Sequence, residues 1–277
     1  MSTLIASGAG FRRNMRNQVV VVTGAAGGIG RALCMNLGRQ GAWLALIDKD
    51  AAALDELKDE LQRAGLHCAS ASADVASREQ VRAAVQSLEA ELGAADILIT
   101  AAGICGVSLV EDLRVAQLEE MLKVNFLGMV FAIDAVLPGM LSRRRGHIVG
   151  ISSLAAVCPL PFESAYCASK AAVATYLHTL RASLRRRGIA VTIAYPGFVR
   201  TAMLDGVVAQ TATTSLPPGT IEVGEAADKI CAAIRRGARV TCFPWHTHWL
   251  SRGASLLPPV LHDWVMTRIA ARFGLPL

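Results

Sequence analysis

The chain has 277 residues, of which 53% are hydrophobic, 18% charged and 5% aromatic, with a mean hydropathy of +0.40. That composition supplies ample core and excludes a disordered or collagen-like chain, while the length suits either two small domains or one large α/β domain. The formal net charge of +6 raises nucleic acid or anionic lipid as partners, but the surplus is placed otherwise. Arg143-Arg144-Arg145 precedes Gly146, Arg185-Arg186-Arg187 precedes Gly188, and Arg235-Arg236 precedes Gly237. Each reads as a helix C-terminus, with cations at the negative end of the dipole and Gly in the left-handed cap. No nucleic-acid partner is expected.

In chain order, residues 1–17 read as a loose N-terminal arm, because Arg12, Arg13 and Arg16 follow rather than precede its short apolar segment. Strand-like runs at Val19–Val22, Trp43–Ile47, Cys68–Ser72, Ile97–Thr100, Ile148–Ile151, Ala190–Ala194 and Val240–Cys242 then alternate with segments of helical period. Those segments are Ile29–Arg39, Ala51–Arg63, Ser77–Leu92, Leu118–Leu141, Ala165–Arg186 and Glu225–Arg236. Right-handed crossovers make of this a doubly wound, Rossmann-like parallel sheet of about seven strands with helices on both faces. The sheet runs from 18 to 242 without a linker, so one domain is predicted, followed by an apolar tail over 243–277. No run of about 18 uninterrupted apolar residues occurs, so no spanning helix is expected. The seven cysteines never form a C-x-x-C pair, which points to thiols in a reducing, cytoplasmic setting and to no metal site.

In such sheets ligands sit at the carboxyl ends of the strands. After the first strand comes Thr23-Gly24-Ala25-Ala26-Gly27-Gly28-Ile29-Gly30, opening a helix. Gly24 permits the tight turn, Gly28 and Ile29 bring backbone N–H groups to a pyrophosphate, and Gly30 allows close helix–strand packing. At the end of the second strand Asp48 is placed to accept hydrogen bonds from adenosine ribose hydroxyls and to repel a 2′-phosphate, favouring NAD over NADP. Lys49 beside it partly offsets that repulsion. Among three tyrosines and five lysines, only Tyr166 has a lysine, Lys170, four residues on. On a helix both lie on one face, so the ammonium can stabilise a phenolate and lower the Tyr pKa from its usual value of about 10. The same spacing also occurs as a plain surface contact. Ser152 and Ser153 follow the fifth strand, and either can donate a hydrogen bond to a substrate oxygen beside the tyrosine.

Taken together, Thr23-Gly24-x-x-x-Gly28-x-Gly30, Asp74-Val75, Ala102-Gly103, Asn125, Ser153, Tyr166-x-x-x-Lys170 and Pro196-Gly197-x-x-x-Thr201 resemble the short-chain dehydrogenase/reductase family. The resemblance covers residues 18 to 242. It implies that Tyr166 is the general acid/base and that Lys170 both lowers its pKa and holds the nicotinamide ribose. It selects Ser153 over Ser152 as the group that orients the substrate oxygen, and gives Asn125 a water-mediated proton relay to Lys170. It further implies adenine contacts from Asp74 and Val75, close passage of Gly103 by the cofactor, and carboxamide contacts from Pro196, Gly197 and Thr201. A homo-dimer or homo-tetramer is implied as well. The chain departs from the family's Asn-Asn-Ala-Gly with Thr100-Ala101-Ala102-Gly103, which removes two bracing amides and touches local stability more than chemistry.

The pocket walls are expected from Leu154, Val157, Cys158, Leu160, Pro161 and Phe162, and from a loop over 202–224. Neither segment carries Lys or Arg, so a lipophilic secondary alcohol or ketone is the expected substrate. Two readings stand beside the enzyme: a non-catalytic dinucleotide sensor, and a membrane-surface reductase of lipid-like substrates. The tail carries Leu257, Leu261, Trp264, Val265, Ile269 and Phe273 at helical spacing, and this stripe is expected to pack on the domain and shape the substrate site, or to meet another subunit or a membrane surface.

Overall fold

A computed structural model of the chain describes residues 14–107, 113–160, 162–210, 216–244, 253 and 257–272. Seven parallel strands form one sheet in the order β3-β2-β1-β4-β5-β6-β7: β1 Val19–Thr23, β2 Trp43–Asp48, β3 Cys68–Ser72, β4 Ile97–Thr100, β5 Gly146–Ile151, β6 Ile189–Pro196 and β7 Val240–Phe243. The helices are α1 Gly28–Arg39, α2 Ala51–Arg63, α3 Arg78–Leu92, α4 Val115–Met121, α5 Gly128–Arg143, α6 Ser164–Leu184, α7 Ala202–Ala209 and α8 Val223–Arg236. A further helix spans Pro259–Arg272. The strand order reverses direction between β1 and β4, the switch point at which a doubly wound sheet opens a crevice.

The apolar run of β1 explains why the sheet is covered twice. Val19 and Val21 enter one core with Leu98, Ile148, Val85 and Ile133, while Val20 and Val22 enter the other with Leu33, Leu44, Leu57 and Ile230. A period of two with both faces apolar requires this division. The helix over α4 and α5 is continuous from Val115 to Arg143 and, by length and composition, apolar enough to cross a membrane. Its Met129, Ala132, Ile133, Val136 and Met140 are buried in the α3 and α5 core, so it is a core helix of this domain.

The arginine-rich helix ends lie at the amino edge of the sheet. Arg143 donates to the Ala95 carbonyl at 2.7 Å, and Arg145 meets Asp96 at 3.1 Å, both just ahead of β4. Gly188 and Gly237 take the left-handed conformation as expected (φ 77° and 59°), but after α5 Arg144 itself does so (φ 49°). Gly146 instead begins β5, where a Cβ would stand 2.4 Å from Met140 Sδ; its smallness serves packing, not the cap.

Two other expectations change. The 202–224 segment is not wholly a loop, since Thr201 accepts from the Leu204 N–H and caps α7. In the tail helix, Leu261 and Trp264 are exposed (45% and 55%), with Arg268 stacked 4.8 Å from the Trp264 ring. These two members of the stripe therefore do not pack into the domain. Trp245, Trp249, Phe273 and the side chain of Ile269 lie outside the described residues, as does Pro161.

Candidate active site

Close backbone approach builds the first wall of the crevice. Gly24 has φ +67°, and a Cβ there would sit 2.5 Å from the Ala102 backbone, so the turn after β1 touches the segment after β4. A Cβ on Gly30 would be 2.0 Å from the Gly24 carbonyl, and one on Gly28 would be 2.8 Å from Thr201 Cγ2. Three strand ends thereby meet around one small space. Ile29 packs into the α1, α2 and α8 core, leaving its backbone as what it offers a ligand. Asp48 accepts from the Ala26 N–H at 3.0 Å and from the Asp50 N–H at 3.2 Å, so it also braces the glycine-rich turn. Asp74 accepts from the Ala76 N–H at 2.9 Å, whereas the Val75 side chain is buried against Gly128.

These features fit a dinucleotide. A side chain at any of the three glycines would collide with the turn or its neighbours, the α1 N-cap Gly27 has no side chain to occupy the first N–H groups of the helix, and Asp48 stands at the β2 end where a ribose would lie. Pro196 ends β6, the Gly197 N–H donates to Phe243 O at 2.8 Å, and Thr201 faces Gly28. The departure at Thr100 is partly compensated, because its hydroxyl donates across to Val149 O at 3.4 Å.

The second wall is made of side chains. Ser152 is buried and donates to the Lys170 carbonyl at 2.9 Å, a structural bond. Ser153, only half-buried, accepts from the Ala155 N–H at 3.1 Å and is close enough to the Tyr166 hydroxyl to favour its charged form. The two serines thus differ: Ser152 is committed to the α6 backbone, and Ser153 is the one that acts on the tyrosine. Lys170 donates to the Ile151 carbonyl at 3.0 Å, and its Nζ lies 5.7 Å from the Tyr166 ring centroid. Asn125 sits in a π-helical turn, Leu122–Leu127, between α4 and α5. Its side chain accepts from the Ile104 N–H at 2.7 Å and donates to Ile104 O and Ser169 Oγ, each at 2.9 Å. It therefore clamps the segment after β4 to α6. Gly103 is bracketed there: a Cβ would lie 3.2 Å from Asn125 Oδ1 and 3.3 Å from Lys170 Nζ.

One electrostatic expectation is corrected. Burial pushes the Tyr166 hydroxyl above its usual value, Cys105 and Glu163 push the same way, and only Ser153 opposes them. Lys170 does not reverse this, because its own burial brings it down to about 8 and its donor is engaged by Ile151.

Sequence reasoning also missed a group. Glu163, three residues before Tyr166, is 5% exposed and accepts from the Cys105 thiol at 3.8 Å. Helical i, i+3 spacing from the tyrosine was the available signal. The wall expected to be apolar does hold buried Leu154 and Phe162, but it also holds this carboxyl.

The sequence signature of the short chain dehydrogenase family matches residues 18–212. An uncharacterized oxidoreductase of Myxococcus xanthus is 34% identical over 256 residues, 92% of this chain and 98% of that protein. The 2-(S)-hydroxypropyl-CoM dehydrogenase 3 of Xanthobacter autotrophicus is 34% identical over 185 residues, covering 67% of this chain and 72% of that one. A short-chain dehydrogenase/reductase from Burkholderia phymatum, solved in complex with NAD, superposes with a TM-score of 0.79 at 24% identity over 87% of this chain and 93% of its own; that likeness speaks to the fold. With the sheet order, the glycine cradle and the Ser153–Tyr166–Lys170 cluster already in place, the chain belongs to the short-chain dehydrogenase/reductase family of oxidoreductases.

Proposed function

We propose that this protein interconverts a secondary alcohol and a ketone with NAD(H), using Tyr166 as the proton-transfer group. The observation that carries the reading is Lys170, buried with its Nζ 5.7 Å from the Tyr166 ring centroid, beside Ser153 at the end of β5 and with the glycine cradle at the same sheet edge. When bound, the nicotinamide dinucleotide supplies the hydride acceptor for the alcohol and the hydride donor for the ketone. Gly24, Gly28, Ile29, Gly30, Asp48, Asp74, Val75, Gly103, Pro196, Gly197 and Thr201 would hold it. Ser153 Oγ fixes the substrate oxygen beside the tyrosine. Tyr166 Oη gives that oxygen a proton as the carbonyl is reduced and takes it back in the other direction. Lys170 holds positive charge next to the phenolate that results, and Asn125 keeps the segment at Gly103 against α6.

Asp48 supports NAD over NADP, since a carboxylate at the β2 end disfavours a 2′-phosphate. The seven free thiols support a cytoplasmic setting, and exposed Val115 and Leu127 on the α4 and α5 helix support a homo-dimer or homo-tetramer. A panel of secondary alcohols and ketones, followed by NADH absorbance, tests the reading. Turnover is expected, with higher kcat/KM for NADH than for NADPH; NADH binding with no turnover anywhere in the panel would favour the sensor. The exposed Leu261 and Trp264 favour one second reading, attachment of the tail to a membrane surface, which cosedimentation with anionic liposomes tests.

A further inference from the structure

Every other buried polar side chain around the cluster has a structural employment: Asn125 and Ser169 bond each other, Ser152 bonds the Lys170 carbonyl, and Lys170 bonds Ile151. Glu163 does not. It occupies the N-cap position of α6, yet its carboxyl makes no cap hydrogen bond. Among the described residues no cation pairs with it, and its hydrogen-bond partner is the Cys105 thiol, at 3.8 Å. A thiol is a weak donor, so most of the cost of burying this carboxyl is left uncompensated by the protein. Buried groups in that condition call for an explanation beyond packing.

Position supplies one. Glu163, Tyr166 and Lys170 stand at i, i+3 and i+7, one face of the helix start. Cys105, which reaches Glu163 from the segment after β4, is two residues past Gly103, the glycine held between Asn125 Oδ1 and Lys170 Nζ. Both Cys105 and Glu163 act electrostatically on the Tyr166 hydroxyl. Held by Cys105 on the segment after β4 and one helical turn before Tyr166, the carboxyl lies in the part of the wall that also includes Leu154, Ala155 and Phe162.

We propose that Glu163 is a specificity-determining residue, its carboxyl receiving a hydroxyl group that the substrate carries next to the reacting carbon, so that the preferred substrates are α-hydroxy ketones and the vicinal diols related to them. This rests on the alcohol and ketone chemistry of the preceding section. A hydroxyl suits the site better than an ammonium. Burial raises the Glu163 carboxyl to about 7, so both of its protonation states are accessible near neutrality. A hydroxyl can donate to one and accept from the other, whereas an ammonium matches only the carboxylate.

The test is kcat/KM for matched ketones with and without the neighbouring hydroxyl, benzoin against deoxybenzoin and acetoin against butanone, in the parent, Glu163→Gln and Glu163→Leu holoenzymes. The parent should prefer the hydroxy ketone roughly 10- to 100-fold, the worth of a hydrogen bond to an ionisable group. Glu163→Gln, which still bonds a hydroxyl, should keep part of that ratio, and Glu163→Leu should bring it close to one while NADH binding persists. If Glu163→Leu fails to bind NADH, Glu163→Asp, with the carboxyl withdrawn by one methylene, should lower the ratio instead. A parent ratio near one, or a ratio unchanged in Glu163→Leu or its replacement, overturns the proposal and leaves the oxidoreductase reading standing. Failure of the parent to turn over any ketone in either set, while other members of the alcohol and ketone panel are turned over, overturns the proposal alone; no turnover anywhere in that panel overturns the alcohol and ketone reading as well.

Discussion

The two walls of the crevice are built from different materials. On the β1 and β2 side the work is done by backbone: three glycines whose missing Cβ atoms leave room for a turn, a neighbouring strand end and Thr201. On the β4, β5 and α6 side it is done by polar side chains, half-buried Ser153 and Tyr166 and buried Lys170, Asn125 and Glu163, each set by its neighbours. The first wall tolerates no added atom, and the second tolerates no lost partner. Substitutions should accordingly fail in different ways on the two sides, the first through folding and cofactor binding, the second through rate, selectivity and pH dependence.

The largest effect is expected from Tyr166→Phe. Removing the hydroxyl takes away the proton donor and acceptor but little volume, so turnover should fall by about 10²–10⁴-fold. NADH binding, measured by fluorescence titration, should persist because the glycine wall is untouched. Residual turnover above roughly a tenth of the parent would contradict a general acid/base group of this kind and move the proton transfer elsewhere in the second wall.

Gly30→Ala attacks the first wall. Its Cβ would stand 2.0 Å from the Gly24 carbonyl, a distance that real contacts do not show, so either α1 or the turn must move. A loss of about 2–3 kcal/mol in urea unfolding is expected, the upper range for overpacking in a tight site, together with weakened NADH binding. Unchanged stability and binding would mean that the turn has slack the glycines do not need.

Much of this division was readable in the residues. A glycine turn between a strand and a helix has a backbone cause, and Gly24, Gly28 and Gly30 appear in the sequence at the spacing that cause requires. The alternation of Val19–Val22 between two cores follows from strand period alone. Other features arise only when separate segments meet. Nothing local to Glu163 says that a thiol 58 residues away in sequence will be its partner, and nothing local to Tyr166 says that burial will outweigh the nearby lysine. Met140, packed against β5, similarly decides that Gly146 is a packing glycine and leaves the left-handed cap to Arg144.

Glu163→Gln sharpens the second wall through its pH dependence. Below the ordinary carboxyl value of 4.5 both the folded and the unfolded chain hold the proton, and the buried group carries no charge. Between 4.5 and about 7 the unfolded chain has released its proton while the folded chain retains it, so stability falls as pH rises. Above that window the penalty is complete, at most roughly 3 kcal/mol. The amide never titrates. The variant should therefore match the parent near pH 4.5 and exceed it by up to about 3 kcal/mol at about pH 8 in urea unfolding of the ligand-free protein. Lys170, brought down to about 8, titrates in both proteins and cancels in the difference to first order. A constant difference across the range would show that Glu163 is not charged by pH 8 in the folded state.

The smallest effect is expected at Asp48, where the first wall meets the cofactor by side chain instead of backbone. Its two oxygens accept from the Ala26 and Asp50 N–H groups, and asparagine can keep one of these bonds while removing the charge. Asp48→Asn should then leave the turn folded, separating electrostatic repulsion of a 2′-phosphate from bracing of the loop. At a half-exposed site, screened charges a few ångströms apart interact by about 1–2 kcal/mol, so the ratio of kcat/KM for NADH over NADPH should drop about tenfold. Lys49, next to it, remains to attract the phosphate once the carboxylate is gone. If the ratio did not move while thermal stability fell, Asp48 would act as a brace alone, and the choice of dinucleotide would belong to other groups around the β2 end.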